Sequence, residues 1–224
     1  MKILIGQPLK EKGIKQIENE ININKDIDVV LYPEGYLVNE EVLKSACEIA
    51  KKYGKTIITG YLDTITPNAS SSITNRAVII DELGEKILDR AKTPIDEDLY
   101  KPSVIDYKGI KIGYLLCREI LKGLEGFKDL NTSLNFIAHP IGVGMFSEDQ
   151  FDQWINEAKT IAKTYNTMII GTSHADGSYR NCGVSIPISY CIDSNGEPIF
   201  ISKSDIRTRI VDLNTKEIEF GLDL

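Results

Sequence analysis

The stretch "IKIGYLLCREIL", residues 110–121, decides how the chain is read. Apolar residues dominate it from Ile110 to Leu116, as in a strand buried on both faces. It ends on Cys117, and two opposite charges follow at once, Arg118 and Glu119. A thiol at the seam between an apolar core and a charged surface is either packing filler or a nucleophile. A free cysteine closing an apolar strand is usually a small buried hydrophobe. The nucleophile reading therefore needs chemical partners elsewhere in the chain.

Working outward, β-rich apolar runs alternate with helical patterns. "DIDVVLYPE" (26–34) reads as a strand ending at Pro33-Glu34. "NEEVLKSACEIAKKYG" (39–54) carries a helical stripe at Val42, Leu43, Ala46, Ile49, Ala50 and Tyr53, with Asn39 as N-cap and Gly54 as stop. "TIITGYLD" (56–63), the pair within "NRAVIIDELGEKILDRAK" (75–92) and "LNFIAHP" (134–140) read as strands. "SEDQFDQWINEAKTIAKTYN" (147–166) is a second helix, with Ser147 and Gln150 placed as a capping box. Its stripe runs from Phe151 through Trp154 to Tyr165, as helix core or subunit contact. The last third, "TMIIGTSHAD", "CGVSIPISYCIDSNGEPIF" and "TRIVDL", is nearly all strand, with "DSNGE" a hairpin turn. "TITPNASSSITN" (64–75) reads as a loop. With no repeat or linker, residues 1–224 form one α/β domain, its helices covering a mixed sheet system.

Composition narrows the function. A 224-residue chain can bury a substantial core. Net charge −7, with lysines dispersed among acids, leaves no basic block to neutralise phosphates, so no nucleic-acid partner is expected. The opening "MKILIGQPLKEKG" has only three consecutive apolar residues, too few for a signal peptide, and no stretch has the length of a membrane span. A cytoplasmic location without membrane contact is expected, in which the sequons at Asn68 and Asn131 mean nothing. Cys47, Cys117, Cys182 and Cys191 form no CxxC pair, and His139 and His174 have no HxxxH or HExxH spacing, so neither a disulfide framework nor a metal site is expected. "GVG" at 142–144 lacks the third glycine of a dinucleotide fingerprint. No cofactor is expected. Cys47, Cys182 and Cys191 read as buried packing residues.

Three positions share a structural address. Glu34, Lys92 and Cys117 each close a strand pattern, and ligands of open α/β sheets bind outside the carboxyl ends of strands. A carboxylate, an ammonium and a thiol make a covalent catalyst: the Glu takes the thiol proton, the Cys attacks a carbonyl or nitrile carbon, and the Lys stabilises the anion formed.

"LYPEGYL" (31–37), "ILDRAKTPIDEDLYKP" (87–102) and "IGYLLCREI" (112–120) resemble, in order, the Glu, Lys and Cys motifs of the nitrilase superfamily, the carbon–nitrogen hydrolases. "NRAVIIDELGEKI" resembles its strand pair before the lysine, and "GVSIPISYCIDSNGEPI" its late segment, so the likeness covers most of the chain. The resemblance implies an αββα sandwich of two mixed β-sheets flanked by helices. It implies Glu34 as general base, Lys92 as oxyanion stabiliser and Cys117 as nucleophile. It also implies Glu97 as a second glutamate orienting Lys92 and the substrate, the Arg118 N–H as oxyanion donor, and His139 as a substrate-side residue. Two contexts depart from the family, "DRAKTPI" around the lysine and "LKGLEGFKDLN" (121–131) in place of a Phe-Pro-Glu segment; they bear on the substrate. The implied activity is a thiol amidohydrolase acting on a small linear amide or N-carbamoyl compound with water, through a Cys117 acyl-enzyme. A nitrilase shares every residue; a degenerate, non-catalytic binding relative is the alternative. A homodimer or higher homo-oligomer is implied, with the helix from Phe151 to Tyr165 as a candidate face.

Overall fold

Strands buried on both faces sort their side chains by parity, and that parity sets the layering. The structure, a computed structural model, describes residues 1–63, 74–130, 132–178 and 182–221. The elements run β1 (Lys2–Ile5), α1 (Lys15–Ile23), β2 (Val29–Leu31), α2 (Glu40–Tyr53), β3 (Thr56–Asp63), β4 (Thr74–Ile80), β5 (Lys86–Ala91), β6 (Val104–Tyr107) and β7 (Ile110–Tyr114). A 3₁₀ turn (Cys117–Lys122) leads into the short α3 (Gly123–Gly126). Then come β8 (Phe136–Pro140), α4 (Glu148–Thr164), β9 (Met168–Thr172), β10 (Ile188–Ile192), β11 (Pro198–Lys203), β12 (Arg209–Asp212) and β13 (Ile218–Phe220).

Two mixed sheets result, one ordered β13-β12-β1-β2-β3-β4-β5 and the other β11-β10-β9-β8-β7-β6. Ile3, Ile5, Leu31, Ile58 and Ile79 of the first meet Tyr114, Phe136, Ala138 and Ile170 of the second in one apolar layer. The alternate residues Leu4, Val30, Ile57 and Val78 face Ile17 and Ile21 of α1 and Leu43, Ala46 and Ala50 of α2. On the far side Ile137, Ile169 and Tyr190 face Trp154, Ile155, Ala158 and Ile161 of α4. The order is helix, sheet, sheet, helix, as expected. The α4 stripe is thus spent within the chain, with Trp154, Ile155 and Ala158 buried, so it is not a bare subunit contact.

The caps follow the sequence. Asn39 accepts from the Val42 N–H at 2.9 Å, and Gly54 takes the left-handed conformation at φ 64°. Ser147 accepts from the Gln150 N–H, but the Gln150 amide oxygen accepts from Phe146 rather than closing a reciprocal box on Ser147. Strand β7 stops at Tyr114, three residues before Cys117, because Cys117 takes φ 54° and turns the chain into the 3₁₀ segment. Of the loop read over 64–75, residues 64–73, with the sequon at Asn68, lie outside the described residues, as does Asn131. Among the described residues no helix is long and apolar enough to cross a membrane.

The inter-sheet layer is not wholly apolar. The buried Tyr114 hydroxyl crosses it to donate to the Thr59 carbonyl at 2.5 Å. Tyr114→Phe would remove this bond from a carbonyl that keeps its place opposite Val78 in the β3–β4 ladder, at a cost of about 0.5–1.5 kcal/mol. Chemical denaturation should show this loss at an unchanged m-value; equal midpoints for variant and parent would contradict it.

Candidate active site

Three backbone anchors bring the strand-end side chains together. The Pro33 carbonyl, just past β2, accepts from the Thr59 hydroxyl at 2.7 Å, and the Glu34 carbonyl accepts from His174 Nε2 at 3.2 Å. Lys92, one residue beyond β5, is held through its N–H to the Asn75 carbonyl at 2.9 Å. Cys117 opens the 3₁₀ turn beyond β7. Lys92 Nζ lies 2.6 Å from Glu34 Oε1. The Glu34 carboxylate and the Gly142 N–H both act electrostatically on the Cys117 thiol. All three line one cavity of about 700 Å³.

Gly142 is glycine for a steric reason. A Cβ there would lie 2.8 Å from Glu34 Oε2, so a side chain would displace the carboxylate.

The electrostatics define the resting state. Burial pushes the Cys117 thiol up to about 12; the Glu34 carboxylate adds to this, and the Lys92 ammonium only partly offsets it. Burial also works against the Lys92 charge, but its acidic neighbours, among them Glu34 with which it pairs, outweigh this and hold the ammonium above its ordinary value. At neutral pH the cysteine is a thiol beside an ion pair.

A second buried pair frames the site, one that sequence reading missed. Arg90 and Glu119 have side-chain exposures of 4% and 1% and form a bidentate pair at 2.8 and 2.7 Å. Glu119 also accepts the Thr93 N–H and the Leu116 N–H, each at 2.7 Å. These N–H groups adjoin Lys92 and Cys117. Burial disfavours the Glu119 charge, yet Arg90 and the two N–H groups hold its carboxyl below the usual range. The signal was present as parity: Leu88 faces the inter-sheet layer, so Arg90, two residues on, occupies an inward position.

The other expected residues are placed differently. Arg118 is exposed on the cavity wall. Glu97 is exposed, does not line the cavity, and accepts from the Tyr100 hydroxyl at 2.5 Å, so it does not orient Lys92. The turn after Lys92 carries it outward. His139 does not line the cavity either; it is fully buried beneath Cys117. Cys182 is exposed on the cavity rim, because its strand-like segment makes only isolated bridges, at Val184 and Ile186, before β10, whereas Cys191 is buried and Cys47 half-buried. Among the described residues no group of three or more His, Cys, Asp or Glu is placed to hold a metal ion.

No family model and no curated protein matches the sequence. Solved structures do match. A carbon-nitrogen hydrolase from Helicobacter pylori G27 superposes at TM-score 0.71 and 15% identity, over 96% of this chain and 90% of that one. A Cys-to-Ser mutant of the Nesterenkonia AN1 amidase from the nitrilase superfamily gives 0.72 and 15%, over 96% and 92%. The chain has the nitrilase fold. A Glu-to-Gln mutant of the Nesterenkonia sp. AN1 amidase, similar at TM-score 0.69 and 14% identity over 95% of this chain and 89% of that one, shows covalent addition of the acetamide moiety of fluoroacetamide at its active-site cysteine.

Two measurements check this account of the buried groups. Glu119→Gln leaves the Arg90 guanidinium buried without its counter-charge and should destabilise the fold by about 3–5 kcal/mol; a loss below about 1 kcal/mol would mean the pair is dispensable. Burial lowers both His139 and His174 from 6.5 to about 4. The unfolded chain therefore binds these protons first on acidification. Their contribution is complete above about 6.5 and is lost as pH falls toward 4, by up to about 1.4 kcal/mol per pH unit for each histidine. Denaturation midpoints flat between pH 6.5 and 4.5 would show that the histidines are not held neutral.

Proposed function

We propose that the protein is a thiol amidohydrolase that cleaves the C–N bond of a small linear amide or N-carbamoyl compound. One observation carries the proposal: the Glu34 carboxylate, the Lys92 ammonium and the Cys117 thiol meet at the floor of an open cavity of about 700 Å³, within the size range of small-molecule sites. The same fold supports a cysteine-based amidase in the Nesterenkonia neighbour.

Each residue has a task set by its surroundings. Glu34 removes the thiol proton as Cys117 Sγ attacks the carbonyl carbon, because a thiol raised to about 12 supplies almost no standing thiolate at neutral pH. The carbonyl electron pair moves onto oxygen, where the Lys92 ammonium and the Arg118 N–H receive the negative charge. The tetrahedral intermediate collapses, the C–N bond breaks, and Glu34 returns the proton to the departing nitrogen as ammonia or an amine. Water then attacks the thioester with Glu34 again as base, and the acid leaves with the thiol restored. The trio at an open cavity also speaks against a degenerate binding relative, which would have no use for a base on the thiol.

Amide turnover, read as ammonia release, should vanish in Cys117→Ala. Glu34→Gln should lower turnover by about 10²–10⁴-fold. It also removes the carboxylate that raises the thiol, so iodoacetamide should alkylate Cys117 in that variant over a pH profile shifted to lower pH. Exposed Cys182 will take label as well, so mapping is done in Cys182→Ser. Near-parental turnover in Glu34→Gln would remove the base assignment, and a Cys117 that resists alkylation would remove the nucleophile.

A further inference from the structure

Beneath the cavity floor, on the side away from the substrate space, lies a buried histidine that the reaction scheme does not use. His139 on β8 contacts the Cys117 carbonyl through Nε2 at 2.8 Å and the Tyr190 hydroxyl of β10 through Nδ1. A carbonyl can only accept, so Nε2 carries the proton and, in the neutral ring, Nδ1 accepts from Tyr190. Burial keeps that ring neutral by lowering it to about 4.

The carbonyl so held belongs to the residue with φ 54°, a left-handed conformation that a non-glycine residue keeps only when its surroundings impose it. A trans peptide is planar, with its C=O and N–H pointing in opposite directions. Holding the Cys117 carbonyl toward His139 in the core therefore aims the Arg118 N–H the other way, toward the cavity that Cys117 and Arg118 both line. Arg118 is the second residue of the 3₁₀ turn, and the first N–H groups of such a turn have no acceptor within it. We infer that His139, backed by Tyr190, is a positioning residue that orients the Cys117–Arg118 peptide so that its N–H serves as oxyanion donor. The inference rests on the thiol-amidohydrolase reading.

The test needs no knowledge of the natural substrate. Propanal adds reversibly to a nucleophilic thiol: the S–C bond forms, the carbonyl pair moves to oxygen, the thiol proton ends on that oxygen, and nothing leaves. The new oxygen occupies the oxyanion position, and Cys117 so occupied cannot be alkylated. Protection by propanal against iodoacetamide thus reads the oxyanion site, whereas alkylation alone does not, because no oxyanion forms at the carbon attacked. In Cys182→Ser, His139→Leu should leave bare alkylation of Cys117 within about twofold and raise the half-protecting propanal concentration by about tenfold or more. Tyr190→Phe should raise it by a smaller factor. His139→Gln, which can still donate, should recover most of the protection. Should His139→Leu lose its cooperative unfolding transition, Tyr190→Phe decides. Parental protection in the variants overturns the inference, as does bare alkylation that falls in step with protection, the mark of a merely structural role. A parent whose Cys117 does not alkylate refutes the amidohydrolase reading itself, a separate result.

Discussion

The buried ion pair between Arg90 and Glu119 joins the two sheets at the place where chemistry is possible. Arg90 sits on β5, the last strand of the seven-stranded sheet, and Glu119 follows β7 of the six-stranded one. Removing two charges from water costs several kcal/mol per ion, and attraction offsets this only when the remaining hydrogen-bond positions are used. Here they are. Glu119 takes both guanidinium N–H groups and two backbone N–H groups, and Arg90 also donates to the carbonyls of Ala91 and Pro102. Four buried partners must be in place together, so the relative position of Thr93 and Leu116 is specified rather than merely allowed. Lys92 and Cys117, each next in sequence to one of them, inherit that precision.

Cys117 is consequently held from both sides. Glu119 grips the chain one peptide earlier, through the Leu116 N–H, and His139 grips the peptide after Cys117 through the Cys117 carbonyl. A positive φ at a non-glycine residue costs of order 1–3 kcal/mol and persists only where surrounding contacts over-determine it. Two buried hydrogen bonds that bracket Leu116 and Cys117 meet that requirement. The strain has a use: it ends β7 early and directs the thiol to the cavity floor rather than into the inter-sheet layer where Tyr114 and Leu116 point.

What the sequence made legible was what local rules govern. Helix α2 lies between Asn39 and Gly54 because capping and left-handed geometry are properties of single residues. The four-layer order was legible only through the family resemblance, and the structure builds it from parity in doubly buried strands. Strands β1, β6 and β13 and helix α1 were not read, because each is short: "KILI" and "IEF" have too few residues for a period, and α1 buries only Ile17 and Ile21 among apolar residues. Glu97 was misplaced because five residues of turn after Lys92 say nothing about direction, and the chain leaves the site before reaching it. His139 was expected on the substrate side. Ala138 faces the inter-sheet layer, so its neighbour must face α4, where the ring lies tilted against Trp154. Parity alone would have moved it beneath the floor.

The segment "LKGLEGFKDLN", which replaces a family motif, has a packing role of its own. A Cβ at Gly123 would lie 2.5 Å from Ile161 Cδ1, and one at Gly126 2.4 Å from Leu99, so both glycines allow the 3₁₀ turn and α3 to press against α4 and the loop after Lys92. The turn that begins at Cys117 is thereby braced at its far end by apolar contact, while the chain at its start is fixed by hydrogen bonds. This division has an electrostatic consequence. Among the described residues the charges that act most on the thiol are Glu34 and Lys92, which pull its proton affinity in opposite directions, and burial settles the balance in favour of the thiol. A site arranged in this way stores no reactive anion. It holds a neutral sulfur at the cavity floor, and in the proposed reaction the nucleophile would form only when an electrophilic carbon arrives within reach of both the sulfur and the Glu34 carboxylate.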